Sequence, residues 1–229
     1  MNYEIIQMDA DSWRIEDGGV RFFLLAGHDK ALLIDSGMNL PNAREIAEGL
    51  TDLPLAIINT HADRDHIAGN QGFRQIMMHP KEEAHYRAGG GEGEIVPVQE
   101  GDEIDLGGRI LRIIELEGHT PGSIAILDPA RRVLISGDSI QQHGRIFMFG
   151  AHRNLKDYAA SMARLEKRRE EFDEIWPSHG ALPLSPDLIP RLREGAERIL
   201  AGQAELQEVD FREQKIHIAD LGFVSFLLP

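Results

Sequence analysis

Apolar residues fall along the chain in two rhythms. Short apolar runs bounded by Gly, Asp, Asn or Pro read as strands: YEIIQM, VRFFLLAG, ALLID, LAIIN, QIMMH, RILRIIEL, SIAILD, RVLISG and EIWP. Helical periodicity appears in PNAREIAEGL, in LKDYAASMARLEKRREEF and in SPDLIPRLREGAERILAGQAEL. Pro41 and Pro186 fall where a first helical turn accepts proline, whereas Pro190 lies inside the last pattern and predicts either a kink or a later start. FREQKIHIAD and LGFVSFLLP close the chain as a pair of strands. There is no repeat and no linker long enough to separate domains, so residues 1–229 are expected to form a single domain. AGGGEGE at 88–94 lacks the lysine and hydroxyl of a phosphate loop and leads into a strand, which predicts a mobile surface loop.

Composition narrows the chemistry. A chain of 229 residues buries roughly 70% of its unfolded surface and needs no staple. The absence of cysteine excludes disulfides, thiolate zinc sites, iron–sulfur clusters and a cysteine nucleophile, so any metal must be held by nitrogen and oxygen. The opening MNYEIIQMDADSW lacks a basic start followed by an apolar core, and no apolar run is long enough for a membrane span; a cytoplasmic location is expected. The formal charge of −14 repels a nucleic-acid partner. The one dense basic run, RLEKRREE, alternates with acids in the manner of a solvated helix face.

Candidate chemistry concentrates in NTHADRDHIAGN, residues 59–70, where His61, Asp63, Asp65 and His66 follow LAIIN. Taken alone, the stretch reads as a polar loop in which Asp65 caps a helix. It reads equally as part of a metal cage, since imidazole and carboxylate suit zinc, iron and manganese. Further donors decide between these readings. His119 follows RILRIIELEG, Asp138 follows RVLISG and His179 follows EIWPS, each just past a predicted strand. If the strands share a sheet and a direction, their C-terminal ends bring the donors to one rim. His79 ends a strand outside this set, His28 reads as a hairpin turn, and His85 and His217 read as surface or packing residues.

The ordered set THADRDH, GHTPGS, SGDS and SHG resembles the metallo-β-lactamase superfamily from about Val20 to about Gly180. The resemblance implies an αββα sandwich, two mixed β-sheets face to face with helices outside, and a dinuclear centre on one edge. By motif position His61, Asp63 and His119 would hold one divalent ion and Asp65, His66 and His179 the other, with Asp138 bridging. Asp35, ending ALLIDSG, matches the family's acidic support of the metal loop, although an Asp-Ser-Gly turn is as good a reading of those residues alone.

The sequence departs from the family's H-x-H-x-D-H pattern at Asp63, which stands where an imidazole is usual. In formal charge, three carboxylates and a bridging hydroxide then neutralise two divalent ions. Such a centre favours iron or manganese alongside zinc. The expected activity is hydrolysis of an ester, thioester, lactone or phosphodiester of a small molecule by hydroxide bound to the metal pair, with Asp65 orienting it or taking its proton. Substrate choice would come from QQHGRIFMFGAHRN, residues 141–154, where His143, Arg145 and His152, with Phe147 and Phe149, are candidate lip residues; packing of the two phenylalanines is the alternative. Asp63 also resembles the flavodiiron branch, and iron-dependent oxygen chemistry is the chief rival. A metal-loaded binding module without turnover is the non-enzymatic reading. A homodimer is allowed but not specified.

Overall fold

Parallel strands need crossover connections and antiparallel strands need only turns, and this rule organises the chain. The computed structural model describes residues 3–212 and 214–229. The architecture is the αββα sandwich, with mixed β-sheets flanked by helices. By internal contacts the chain divides into two units, residues 1–114 with 126–130 and residues 115–125 with 131–229.

In the first unit, β1 (Glu4–Asp9), β2 (Ser12–Asp17), β3 (Val20–Ala26) and β4 (Ala31–Ile34) are antiparallel neighbours joined by short turns. Pairing then turns parallel, and each crossover carries a helix. α1 (Ala43–Glu48) leads to β5 (Leu55–Ile58), α2 (Arg64–Ile67) to β6 (Gln75–Met78), and α3 (Glu83–Ala88) to β7 (Glu94–Pro97). These seven strands form one sheet in chain order. Phe22, Leu24, Leu33, Ile57, Ile76 and Met78 pack with Ala43, Ile46, Ala47 and Tyr86 in the core. Register pairs Ile34 with Ile58, so Asp35 and Asn59 leave adjacent strand ends together. β8 (Glu103–Asp105) and β9 (Ile110–Glu115) form an antiparallel pair, and β10 (Ile124–Asp128) is buried along its whole length.

In the second unit, β11 (Val133–Gly137) is followed by β12 (Arg145–Phe147), α4 (Leu155–Glu166), β13 (Glu174–Pro177), α5 (Leu188–Leu200), β14 (Gln207–Phe211), β15 (Gln214–Asp220) and β16 (Ser225–Leu228). β11 and β13 are parallel with Gly137 opposite Pro177, so the chain leaves both strands on the same side toward Asp138 and His179. β12, β16, β15 and β14 form a four-stranded sheet.

Every apolar run expected to be a strand is one. The misses have physical causes. β2 carries Ile15 in the core but shows no apolar run, because its other buried positions, Ser12 and Asp17, are polar and satisfied: Ser12 accepts from Arg109, and Asp17 accepts from the amides of Met38 and Asn39. α4 ends at Glu166, short of the expected Phe172, because the chain turns back to bury Phe172 in extended conformation. α5 begins at Leu188, which places Pro190 in its first turn where a missing N–H costs nothing, so the later start is realised. The final helical pattern gives way at Leu200, and β14 pairs with β15 instead. The loop at 88–94, expected to be mobile, is pinned by Tyr86, whose hydroxyl donates to Glu92 O at 2.8 Å, and by Arg87, which donates to the carbonyls of Gly91 and Gly93. Among the described residues no helix is long and apolar enough to cross a membrane.

Arg109 is a heavily bonded buried cation of the first unit. Its guanidinium donates to Asp128 Oδ2 at 2.7 Å, to the carbonyls of Asp11 and Ala26, and to Ser12 Oγ. Removing one partner of a buried pair strips the other charge of its compensation. Arg109→Ala should therefore destabilise the protein by about 3–5 kcal/mol, read as a lower urea midpoint. Replacing both members, as Arg109→Met with Asp128→Leu, should recover much of that loss.

Candidate metal centre

The donors of the first unit grow out of the parallel strand ends. After β5, Asn59 and Thr60 hold the chain against the end of β4, and His61 follows them, 1% exposed. Asp35, just past β4, adopts a left-handed backbone at φ 65° and is buried. Its carboxylate accepts from Thr60 N, Thr60 Oγ1 and His66 Nδ1, each at 2.8 Å. A second layer of buried polar groups braces the same loop. Asn59 donates to His66 O, Asn70 donates to Asn59 Oδ1, and Ser36 donates to Asn70 Oδ1. Asp35 is thus a buried hub and not a surface turn.

These bonds dictate the histidine tautomers. A carboxylate only accepts, so His66 Nδ1 carries the hydrogen toward Asp35. Thr60 Oγ1 spends its single hydrogen on Asp35, so at 3.0 Å from His61 Nδ1 it accepts, and that nitrogen is also protonated. In both residues Nε2 is left with the lone pair. The two rings lie 4.0 Å apart by centroid.

Asp63 occupies the N-cap position of α2 but makes no side-chain cap bond, and Asp65 lies within the first helical turn; the capping reading of Asp65 does not hold. The Asp63 side chain is turned elsewhere. Its Oδ2 stands 3.5 Å from His61 Nε2, and its Oδ1 accepts from His85 Nε2 at 3.1 Å. Asp65 Oδ2 stands 3.8 Å from His66 Nε2.

The second unit supplies the remaining donors. Gly137 ends β11 at φ 54°, a left-handed turn that redirects the chain at Asp138. Asp138 sets one oxygen 3.7 Å from His119 Nε2 and the other 3.4 Å from His179 Nε2. His119 Nδ1 donates to Phe147 O at 3.0 Å, which again leaves Nε2 with the lone pair. Gly118 precedes it at φ 130°, and a Cβ there would come within 2.4 Å of the Tyr158 backbone, so only glycine fits. Tyr158 itself is fully buried and donates to Ser139 O; burial pushes its phenol far above its ordinary value, which makes it a prop and not an acid or base.

The donor chemistry fits a divalent metal pair. Two ligands held about 2.0–2.1 Å from one tetrahedral ion stand about 3.4 Å apart. The four imidazole–carboxylate separations, 3.4 to 3.8 Å, cluster at this spacing and exceed an ordinary hydrogen bond. Among the described residues two candidate clusters result, His61, Asp63 and His119, and Asp65, His66, Asp138 and His179, with the ligand atoms of each lying within 4.8 Å of one another. These are the seven residues selected from the sequence. His143 and Arg145 are exposed, as is His152. Phe147 and Phe149 are half-buried and stack against each other and Phe211, which favours packing. His79 caps a short helical turn by accepting from Lys81 N, outside both clusters. Sequence reasoning missed His85, Thr60, Asn59 and Asn70. The last three lie within NTHADRDHIAGN itself, whereas nothing local marked His85.

The Metallo-beta-lactamase superfamily model matches residues 15–179. A hydroxyacylglutathione hydrolase of Gloeobacter violaceus is 30% identical over 184 residues, covering 75% of this chain and 70% of that protein. An acyl-coenzyme A thioesterase of Gallus gallus is 27% identical over 197 residues, covering 69% and 71%. Among solved structures, a metallo-beta-lactamase from Pontibacter korlensis superposes with a TM-score of 0.73 at 18% identity, over 86% of this chain and 99% of that one, which is a likeness of fold.

The Asp35 hub yields a direct test. Asparagine tolerates the left-handed backbone, so Asp35→Asn should fold, yet it sets an amide N–H₂ against N–H and O–H donors. Zinc affinity, measured by competition with a chromogenic chelator, should fall about 10–100-fold.

Proposed function

Because the chain belongs to the metallo-β-lactamase superfamily, we propose that this metal-dependent hydrolase acts on small-molecule thioesters. The names of two relatives, an acyl-coenzyme A thioesterase and a hydroxyacylglutathione hydrolase, favour that bond among the esters, thioesters and lactones open to such a site. The observation that carries the reading is Asp138, whose two carboxylate oxygens face different imidazoles, His119 and His179. In the proposed assignment His61, Asp63 and His119 would hold one divalent ion and Asp65, His66 and His179 the other, with Asp138 available to both. Zinc, iron and manganese all suit these donors.

When bound, a divalent pair lowers the pKa of water toward neutrality and polarises an acyl oxygen. Asp65, 30% exposed on the first turn of α2, is the proposed catalytic residue. Its carboxylate takes a proton as water adds to the thioester carbonyl, and returns it to sulfur as the carbon–sulfur bond breaks, giving a carboxylic acid and a thiol. His143, Arg145 and His152 are the proposed substrate contacts. Arg145 at the exposed start of β12 suits a carboxylate or phosphate on the thiol carrier. The proposed setting is the cytoplasm, with small molecules as partners and homodimerisation allowed, and the net charge of −14 opposes nucleic acid.

Asp63 supports a second reading. A carboxylate in this donor set also suits iron, and iron content with oxygen consumption in place of hydrolysis would favour an oxidoreductase.

Metal analysis of protein purified without added metal, followed by a screen of acyl thioesters, lactones, esters, phosphodiesters and β-lactams, separates the two. Chelation should abolish thioester turnover, and restored zinc, iron or manganese should recover it. Asp138→Ala should lose bound metal together with activity. Asp65→Asn should cost about 10²–10⁴-fold in kcat. Full activity in a metal-free preparation would overturn the proposal.

A further inference from the structure

We infer that His85, on α3, is a positioning residue that makes Asp63 a one-oxygen metal ligand. The inference rests on the metal-centre reading above and extends it to a residue outside the ligand set. His85 Nε2 lies 3.1 Å from Asp63 Oδ1, and because a carboxylate accepts only, that nitrogen carries the hydrogen. The other oxygen, Oδ2, is the one at ligand spacing from His61 Nε2. A carboxylate in the place of an imidazole has two oxygens and free rotation about its last bond, where an imidazole offers one nitrogen on a fixed ring. An N–H donor on Oδ1 removes both freedoms: it occupies one oxygen and fixes the plane of the group.

The segment that carries His85 is built to hold this loop. Glu82, 1% exposed, accepts from Ala62 N through Oε2 at 2.8 Å, so main chain and side chain of consecutive loop residues are gripped three residues apart on the same turn. Tyr86, equally buried, anchors the helix through its bond to Glu92 O. His85 is about a third exposed and forms part of the wall of a cavity of about 480 Å³, beside Arg64, Ile67 and Gly89. A partly exposed His–Asp pair contributes little to folding. Its removal should therefore be nearly silent in metal-free protein and visible once metal is present, which a merely structural role would not produce.

The test titrates zinc into wild type, His85→Ala and His85→Gln, with a competing chelator, and records thermal midpoints of the metal-free forms and the visible spectrum of cobalt-loaded protein. His85→Ala should match the wild-type midpoint without metal, bind one of the two zinc ions, the one assigned to His61, Asp63 and His119, about 10–100-fold less tightly and shift the cobalt spectrum. His85→Gln, whose side-chain amide supplies an N–H of similar reach, should recover most of the affinity, and free imidazole entering from the cavity should partly rescue His85→Ala. Wild-type affinity and spectrum in His85→Ala would overturn the inference, as would a loss that neither glutamine nor imidazole repairs. Failure of the wild-type protein itself to bind two ions would instead overturn the metal-centre reading.

Discussion

The carboxylate of Asp35 is the constraint on which the metal loop depends. One buried anion accepts two bonds from Thr60 and one from His66, and so joins the end of β4 to both ends of the stretch that carries the first unit's donors. Burying a charge is costly unless it is met by donors on every side, and here it is met by a backbone amide, a hydroxyl and an imidazole. The expense includes a non-glycine residue held at φ 65°. Because Thr60 spends its hydrogen on Asp35, it must accept from His61, so a single carboxylate sets the tautomer of two imidazoles.

Beyond that hub, the donors are aimed by a common device. His61, His66 and His119 each use Nδ1 on a protein group, respectively a hydroxyl, a carboxylate and a main-chain carbonyl. The supporting groups differ, but each leaves Nε2 as the donor atom. Asp63 departs from this scheme, since a carboxylate cannot be oriented through a second ring nitrogen. The imidazole of His85 supplies that orientation from outside. The substitution at the middle of the motif and the histidine on α3 are thus two parts of one arrangement.

Strand direction connects these local bonds to the fold. Parallel pairing of β4 with β5 puts Asp35 beside Asn59, and parallel pairing of β11 with β13 puts the exits toward Asp138 and His179 side by side. Glycine permits the turns that follow: Gly137 redirects the chain at Asp138, and Gly118 allows the His119 loop to lie against the backbone of α4. The polar core elsewhere obeys the same rule. Arg109 and Asp128 are tolerated inside because neighbouring main-chain carbonyls and a serine complete the shell of the guanidinium.

The sequence by itself determined the apolar strands, the helices with strong periodicity, and the seven candidate donor residues, because strand burial and metal coordination both demand particular residue types at particular places. His61, Asp63, Asp65, His66, His119, Asp138 and His179 could be selected since imidazole and carboxylate just past apolar runs form a recognisable ordered set. Tertiary structure alone decided what satisfies a polar group once buried. Ser12 and Asp17 hid a strand because their partners lie far away in the chain, and burial of Phe172 in extended conformation stopped at Glu166 a helix whose expected pattern ran on to Phe172. His85 looked like any surface histidine until folding set it against Asp63, 22 residues away. Hydrogen bonds between distant residues leave no periodic trace, which is why the candidate donors were legible and, Asp35 apart, the groups that aim them were not.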